Sequence, residues 1–246
     1  MSFAIFDLDQ TLLPYDTQVL FCNHVLRRHP LRRTYLGLFG PAVLLRGAKI
    51  ISTRTLKRVF LSYLRGLTRT QIADLVETFV ETEVVPRLYP EVMAEVERHR
   101  TAGRTLILNT ASPVFYAEAI GKRLGFDHTF GTPVRLAEGG QPFFPPIDGT
   151  NNKYDAKLKI MRHLMPVELT LPLPGAWAYS DSKADLPLLR FVESAVTVHP
   201  DPFLAAIAAD EAWPVLTPAR PNLSRAAFHR DCAFQALGLF RRRPGK

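Results

Sequence analysis

The sequence contains few cysteines. Cys22 and Cys232 are the two in 246 residues, and their number and spacing fit neither a zinc site nor a disulfide framework. This usage is typical of a reducing compartment, so we expect a cytoplasmic protein. We expect Cys22 to pack on a helix rather than to act as a nucleophile, because no catalytic motif surrounds it.

Long apolar segments are also missing. The longest uncharged apolar run, residues 35–45, is too short to cross a bilayer. Asp7 and Asp9 come before any apolar segment of a secretory signal could form, so no signal peptide is expected. Hydrophobic residues still make up 47% of the chain, which is enough for a sizeable core at this length.

Acidic residues are absent from a long stretch near the N-terminus. Residues 17–73 contain 11 Lys or Arg and no Asp or Glu, and residues 220–246 contain seven basic residues and one acid. Because the net charge of the whole chain is +8, the remaining residues carry net negative charge. This division of charge indicates an anionic partner. No nucleic-acid partner is expected.

The stretch from Phe3 to Leu12 joins a short apolar run to two carboxylates one residue apart. This pattern predicts a strand that is buried on both faces and ends at Asp7. Asp7 and Asp9 then lie at the carboxyl end of a strand, where open α/β sheets bind ligands. Since neighbouring carboxylates repel each other, a hard divalent cation such as Mg²⁺ is expected between them.

Other polar residues follow apolar strands or begin helices farther along the chain. Two more apolar strands are predicted to end at Thr110 and at Asp181. Ser112 follows the first of these strands, and Asp185 lies four residues after Asp181. Lys157 begins a segment with helical apolar periodicity.

The order Asp-x-Asp, hydroxyl, lysine, Asp-x-x-x-Asp closely resembles the four motifs of the haloacid dehalogenase-like (HAD) phosphatase superfamily. The motifs span residues 7–185, so the resemblance covers most of the chain. The long interval between the first two motifs and the strings YSDSKADLPLL and LNTASP are similar to the phosphoserine-phosphatase-like subfamily (IB). Gln10 departs from the pattern, because many relatives have Gly there.

The resemblance implies an α/β fold with a Rossmann-like, mainly parallel sheet and an inserted α-helical cap of the C1 type. The three strands that deliver site residues should be neighbours at the centre of the sheet. A β excursion of the core is expected in residues 129–149. The expected domains are a discontinuous catalytic core of residues 1–13 and 89–219, a helical cap of residues 14–88 and a basic C-terminal tail of residues 220–246.

The resemblance also implies catalytic roles. Asp7 is expected to be the nucleophile that becomes an aspartyl phosphate. Asp9 is expected to protonate the leaving alkoxide and then to take a proton from the attacking water. Thr110 would donate a hydrogen bond to a phosphoryl oxygen, and Lys157 would balance the charge on the nucleophile and the phosphoryl group.

The same resemblance implies a metal site. Asp7, Asp181 and the backbone carbonyl of Asp9 are expected to hold Mg²⁺. Asp185 would orient the catalytic lysine or a metal-bound water from behind. His199 is expected to be a strand-end residue rather than a ligand, because the carboxylates suffice for the metal.

Three assignments have alternatives. Lys153 is a rival for the lysine role, and we prefer Lys157 because it starts the apolar-periodic helix. Ser112 is a substrate-binding candidate, although we expect it to cap the helix that begins at Pro113. Asp16 is a substrate-contact candidate, because an acidic residue near this place contacts the substrate's amine in phosphoserine phosphatases. An N-cap role for Asp16 is at least as well supported.

The expected function is Mg²⁺-dependent hydrolysis of a small phosphorylated metabolite, such as a phosphoserine-like compound. One alternative is a phosphatase of phospholipid head groups, peripheral at an anionic membrane surface. The acid-free basic segment favours it, since VLRRHPLRR and the apolar residues that follow look like phosphatidylglycerophosphate phosphatases. A non-enzymatic receiver-like phospho-switch is the third hypothesis, and the acid at Asp9 argues against it.

Overall fold

The computed structural model describes residues 2–164, 171–221 and 224–241. Contacts group the chain into two compact units. The first unit comprises Met1–Tyr15, Arg87–Thr132 and Asn152–Pro221, and the second comprises Asp16–Pro86, Pro133–Asn151 and Asn222–Lys246. Arg242 and Arg243 of the predicted basic tail lie outside the described residues.

The first unit is built on a parallel sheet with the strand order β3-β2-β1-β4-β5-β6. Its strands are β1 (Phe3–Phe6), β2 (Thr105–Pro113), β3 (His128–Thr132), β4 (Leu173–Ser180), β5 (Val192–Val198) and β6 (Val215–Leu216). Its helices are α5 (Pro90–Thr101), α6 (Val114–Leu124), α7 (Asp155–Ile160), α8 (Leu186–Phe191) and α9 (Pro202–Asp210). The predicted α/β fold with a mainly parallel sheet is confirmed.

The centre of this sheet is β1. All four of its residues are buried, as its uninterrupted apolar sequence predicts for a strand covered on both faces. It pairs in parallel with β2 on one side and with β4 on the other. The strands that lead to Asp7, Thr110 and Asp181 are therefore neighbours, as predicted, and their carboxyl ends meet at one edge of the sheet.

The second unit is helical. Its helices are α1 (Thr17–Arg28), α2 (Leu36–Gly47), α3 (Thr53–Phe60), α4 (Arg69–Phe79) and α10 (Arg225–Ala236), with 3-10 turns at Pro30–Tyr35 and Leu61–Leu64 and a π-helical segment at Val80–Val84. The helix α4 begins with a capping box between Thr68 and Gln71, which satisfies backbone N–H groups of the first turn. None of the helices in the described residues has the length and apolarity to span a bilayer.

Two segments of the second unit differ from the predicted domain boundaries. Residues 133–151 do not form a β excursion of the core, since β3 ends at Thr132 and the segment groups with the helical unit. Backbone hydrogen bonds explain this placement, because Gly66 N donates to Gln141 O and Gln141 N donates to Leu67 O. The C-terminal residues are not a simple tail either, because α10 packs on α1.

The arginines of the acid-free segment act within the second unit. Arg32 donates to the backbone oxygens of Tyr63 and Arg65 at 3.0 and 2.5 Å. Arg33 donates to Leu237 O at 2.8 Å and to Gly238 O at 3.2 Å. Arg54 donates to the backbone oxygen of Ile147, and Arg58 donates to those of Phe144 and Pro145. Much of the basic charge of this segment therefore belongs to side chains that donate hydrogen bonds to backbone carbonyl groups without a partner in a helix or strand.

Candidate active site

The nucleophile candidate Asp7 directly follows β1. Its backbone N–H donates to Tyr179 O at 3.0 Å, which continues the pairing with β4 by one residue. The turn after it passes through Gln10, whose φ is +60°. This left-handed conformation is one that glycine adopts without strain, which explains physically why many relatives have Gly there.

Lys157 bridges two carboxylates beneath the end of β1. Its Nζ lies 2.7 Å from an oxygen of Asp7 and 2.6 Å from an oxygen of Asp185. The lysine is 2% exposed and Asp185 is 3% exposed, so solvent screens these ion pairs little. The rival Lys153 is exposed. In this structure it is therefore Lys157 whose ammonium contacts Asp7.

Burial governs the charge states at this edge of the sheet. Desolvation raises the pKa of Asp7 to about 7, with the charges of Asp185 and Asp9 adding to the rise and that of Lys157 opposing it. Desolvation and the charges of Asp7 and Asp185 also raise the pKa of Asp181 well above its ordinary value. Desolvation lowers the pKa of Lys157, but the carboxylates of Asp185 and Asp7 outweigh it and the pKa rises. The site thus holds more buried negative charge than one ammonium neutralises.

A serine of β2 holds the Asp9 carboxylate. Ser112 Oγ donates to a carboxylate oxygen of Asp9 at 2.7 Å, and the backbone N–H of Ser112 donates to Thr110 Oγ1 at 3.0 Å. The following helix begins at Val114 with Pro113 as its N-cap residue. A capping role of Ser112 stays a prediction. Its hydroxyl orients the acid–base candidate.

Asp181 follows β4. The hydroxyl of Thr11, from the turn after β1, donates to Asp181 Oδ1 at 3.4 Å. Ser180 Oγ donates to Asp185 Oδ2 at 2.7 Å, so this carboxylate oxygen accepts from both Ser180 and Lys157. These contacts place Asp181 and Asp185 within the same cluster as Asp7 and Lys157.

Two buried asparagines tie this cluster to the loops around it. Asn152 Nδ2 donates to Asn109 Oδ1 at 2.8 Å and to Thr110 O at 2.9 Å. Asn109 Nδ2 in turn donates to Lys157 O at 2.9 Å. The backbones of Thr110 and Lys157 are therefore fixed to each other through amide side chains. Sequence reasoning missed both residues, and the strand-end position of Asn109 beside Thr110 was the one available signal.

The remaining candidates lie elsewhere. Asp16 belongs to the second unit, where its Oδ1 accepts from the backbone N–H groups of Gln18 and Val19 and caps α1. Its role in substrate binding stays a prediction. His199 Nε2 lies 2.6 Å from Pro218 O, an ordinary structural contact at the end of β5.

The oxygen donors define what cation this edge could hold. In the described residues, no group of three or more His, Cys, Asp or Glu side chains has the arrangement of a metal site. The predicted set needs two carboxylates, Asp7 and Asp181, with the backbone carbonyl of Asp9. Buried carboxylates that raise each other's pKa would be stabilised by a hard cation with oxygen ligands.

Comparisons with known proteins agree with this geometry. A family model described as haloacid dehalogenase-like hydrolase matches residues 4–190. The inhibition of morphological differentiation protein of Streptomyces azureus is 30% identical over 227 residues, which cover 89% of this chain and 79% of that protein. A histidinol-phosphatase of Neisseria meningitidis is 25% identical over 226 residues, which cover 87% of this chain and 98% of the relative.

A solved structure shows the same fold. The probable phosphoserine phosphatase of Vibrio cholerae superposes with a TM-score of 0.63 at 15% sequence identity, covering 96% of this chain and 66% of that one. At this identity the likeness concerns the fold alone.

Proposed function

This chain belongs to the haloacid dehalogenase-like hydrolase family and is a phosphoserine-phosphatase-like phosphatase. We propose that it hydrolyses phosphomonoesters through an aspartyl phosphate on Asp7. The observation that carries the proposal is the buried Lys157 ammonium, which lies between Asp7 and Asp185. It holds the nucleophile candidate in place and supplies positive charge where a phosphoryl group would bind.

In the first step an Asp7 oxygen attacks phosphorus and the ester oxygen leaves. Asp9 donates its proton to that leaving oxygen, so the product is an alcohol and the enzyme carries an acyl phosphate. In the second step Asp9, now ionised, takes a proton from a water molecule that attacks the phosphoryl group. Inorganic phosphate leaves and Asp7 is regenerated. The hydrogen bond from Ser112 keeps Asp9 oriented in both steps.

Mg²⁺ is the proposed cofactor, held by Asp7, Asp181 and the Asp9 carbonyl. The residues fit it, because all donors are oxygens and the negative charge of Asp7 raises the pKa of Asp181. When bound, Mg²⁺ would screen the repulsion between the nucleophile and the phosphate dianion. Asp185 Oδ2 accepts from both Ser180 and Lys157, and Asp185 is outside the proposed ligand set.

The proposed substrate is a small phosphate ester of the phosphoserine type. Support comes from the subfamily and from a relative that is a histidinol-phosphatase. Phosphoserine and histidinol phosphate both carry an amine near a primary phosphate ester, so a panel of amino-alcohol phosphates is the first choice for assay. The receiver-like switch is rejected, because the family and the phosphatase relatives are those of an enzyme.

The test is phosphate release by pure protein with Mg²⁺ and after its removal by EDTA. Asp7→Asn should abolish turnover, because the amide keeps the shape but removes the nucleophilic charge. Asp9→Asn should lower kcat by about 10²-fold or more, since both proton transfers are lost. Asp210→Asn, at an exposed helix end of the same unit, is the matched control. Wild-type turnover by either site variant would refute the assigned roles.

We propose action on a phosphate ester at a membrane surface as the second candidate, on the basis of α2 and the residues after it. Leu44 is 76% exposed and Ile50 is 69% exposed, and Lys49 lies beside Ile50. Cosedimentation with phosphatidylglycerol vesicles should be measurable at low salt, weaken as salt rises and drop several-fold in Leu44→Ser. The exposed Val215→Ser of the first unit is the control. Absence of vesicle binding at low salt would eliminate this candidate.

A further inference from the structure

The second unit contains a cavity that shares no residue with the candidate active site. Its volume is about 630 Å³, within the range of small-molecule sites. The 3-10 turn Pro30–Tyr35, the segment 62–66 and Phe143 form its walls. All of these residues belong to the second unit.

Positive charge predominates in the lining of this cavity. Arg28, Arg32 and Arg65 are among its lining residues, and no Asp or Glu is. The charge of Glu83 acts on Arg28, which leaves Arg32 and Arg65 as the cations of the wall without a carboxylate partner among the described residues. An anionic ligand would complement the positive charge of such a wall.

Two of the lining arginines are already positioned. Arg32 is fixed by its hydrogen bonds to the carbonyls of Tyr63 and Arg65. The Arg65 guanidinium lies 3.7 Å from the centre of the Phe143 ring, a stacking contact that restrains it. Charges held in place by the protein lose less conformational entropy when a ligand binds.

A buried hydroxyl is the second observation. Ser62 lines the cavity and is 5% exposed. Its Oγ has no hydrogen-bond partner among the described residues. Buried hydroxyls without partners are unfavourable and uncommon, and a rotation of the Ser62 side chain toward the cavity would bring this one to an acceptor atom of a ligand.

The other walls are apolar. Tyr35 is buried, whereas Leu31 is 88% exposed and Leu38 is 39% exposed. Inorganic phosphate would use the arginines but leave these surfaces in water. A ligand with an anionic group and an apolar body would cover both kinds of wall.

From this combination we propose that the cavity binds an organic anion with an aromatic or alkyl body, such as an aryl sulfonate or an alkyl phosphate. Its anionic group would accept from the Arg65 guanidinium and the Ser62 hydroxyl. Its apolar body would cover Leu31 and Leu38. The proposal does not rest on the phosphatase activity, and binding is its readout.

The probe is 8-anilinonaphthalene-1-sulfonate, whose fluorescence rises in an apolar site. The folded protein should show saturable one-site binding that hexyl phosphate displaces and that hexanol or inorganic phosphate at the same concentration does not. Arg65→Gln should weaken binding about tenfold. Arg69→Gln, an exposed arginine of the same unit outside the cavity, should leave it unchanged. Equal effects of the two variants, or no saturable binding, would overturn the proposal.

Ser62→Ala separates a ligand contact from a folding role. Loss of an unpartnered hydroxyl should keep or raise the melting temperature while weakening probe binding about threefold to tenfold. A fall in melting temperature with unchanged binding would contradict the proposal. Cosedimentation with phosphatidylglycerol vesicles identifies the natural source of the anion. If Ser62→Ala and Arg65→Gln both bind the vesicles less than the wild type does, the ligand is a lipid. If both variants sediment as the wild type does, it is a soluble anion.

Discussion

Asn152→Ala is expected to damage both stability and turnover, although the residue touches no substrate. The mutation removes the amide that donates to Asn109 Oδ1 and to Thr110 O. Each buried hydrogen bond contributes about 1 kcal/mol, and each acceptor left buried without a donor costs about 1 to 3 kcal/mol. Water entering the space would recover part of this. We therefore expect a loss of about 2 to 4 kcal/mol in the free energy of unfolding.

The effect on turnover follows from the same contacts. Without Asn152, Asn109 is less well held, and Asn109 is the donor to the backbone oxygen of Lys157. The lysine ammonium and the Thr110 backbone would then lose their fixed separation. Catalytic geometry is sensitive to displacements of this size, so kcat should fall about 10-fold or more. KM should change less, because Asn152 acts as a positioning residue.

The assay combines urea unfolding with phosphate release. Asn151→Ala is the matched control. Asn151 is the sequence neighbour of Asn152, but it belongs to the second unit and its Oδ1 accepts from Lys57 at 2.7 Å. The control should lose about 1 kcal/mol or less and keep its kcat. Asn152→Asp should be worse than Asn152→Ala, because a carboxylate would face two acceptor oxygens. Equal losses in Asn151→Ala and Asn152→Ala, with kcat unchanged in both, would refute the positioning role.

Two further predictions concern the backbone near the site and the core. Gln10 has a φ of +60°, which is strained for residues with a side chain. Gln10→Gly should therefore keep activity and raise the unfolding free energy by up to about 1 kcal/mol, whereas Gln10→Val should lower the unfolding free energy. A glycine variant that is less stable than the wild type in urea unfolding would contradict this. Burial and the charges of Arg98 and Arg104 lower the pKa of His99 to about 4. The unfolded chain therefore binds this proton first, and His99 contributes a loss of stability on the order of 2 kcal/mol as pH drops from 6.5 to 4. Asp7, whose pKa is raised, contributes in the opposite direction. The fall should be smaller in His99→Phe, and an equal pH dependence in both proteins would exclude His99 as the cause.

Local sequence patterns were sufficient for the sheet and for its three central strands, although β2 continues past Thr110 to Pro113. Apolar runs that stop at Asp7, Thr110 and Asp181 specify buried strands, and parallel strands must bring those ends to one edge. The partners that hold these residues were harder to find. Asn152 lies in a polar loop without periodicity, so only the folded chain shows that its amide reaches β2.

Charge counting could not separate two uses of the arginines for a related reason. A run of arginines without acids looks the same whether the side chains face an anionic surface or backbone oxygens of their own unit. Arg33, Arg54 and Arg58 do the latter. Their acceptors lie in residues far away along the chain, and a backbone oxygen leaves no mark in the sequence. The placement of residues 133–151 was missed because it rests on the same contacts.

The packing of α10 on α1 bears on how this protein is made. Asn23 and Phe240 exchange two hydrogen bonds between positions 217 residues apart. At about 5 to 20 residues per second, a ribosome would need roughly 10 to 40 s between the synthesis of α1 and that of α10. The part of α1 that α10 covers would stay without this partner for that time. The second unit is therefore complete only after α10 has been translated.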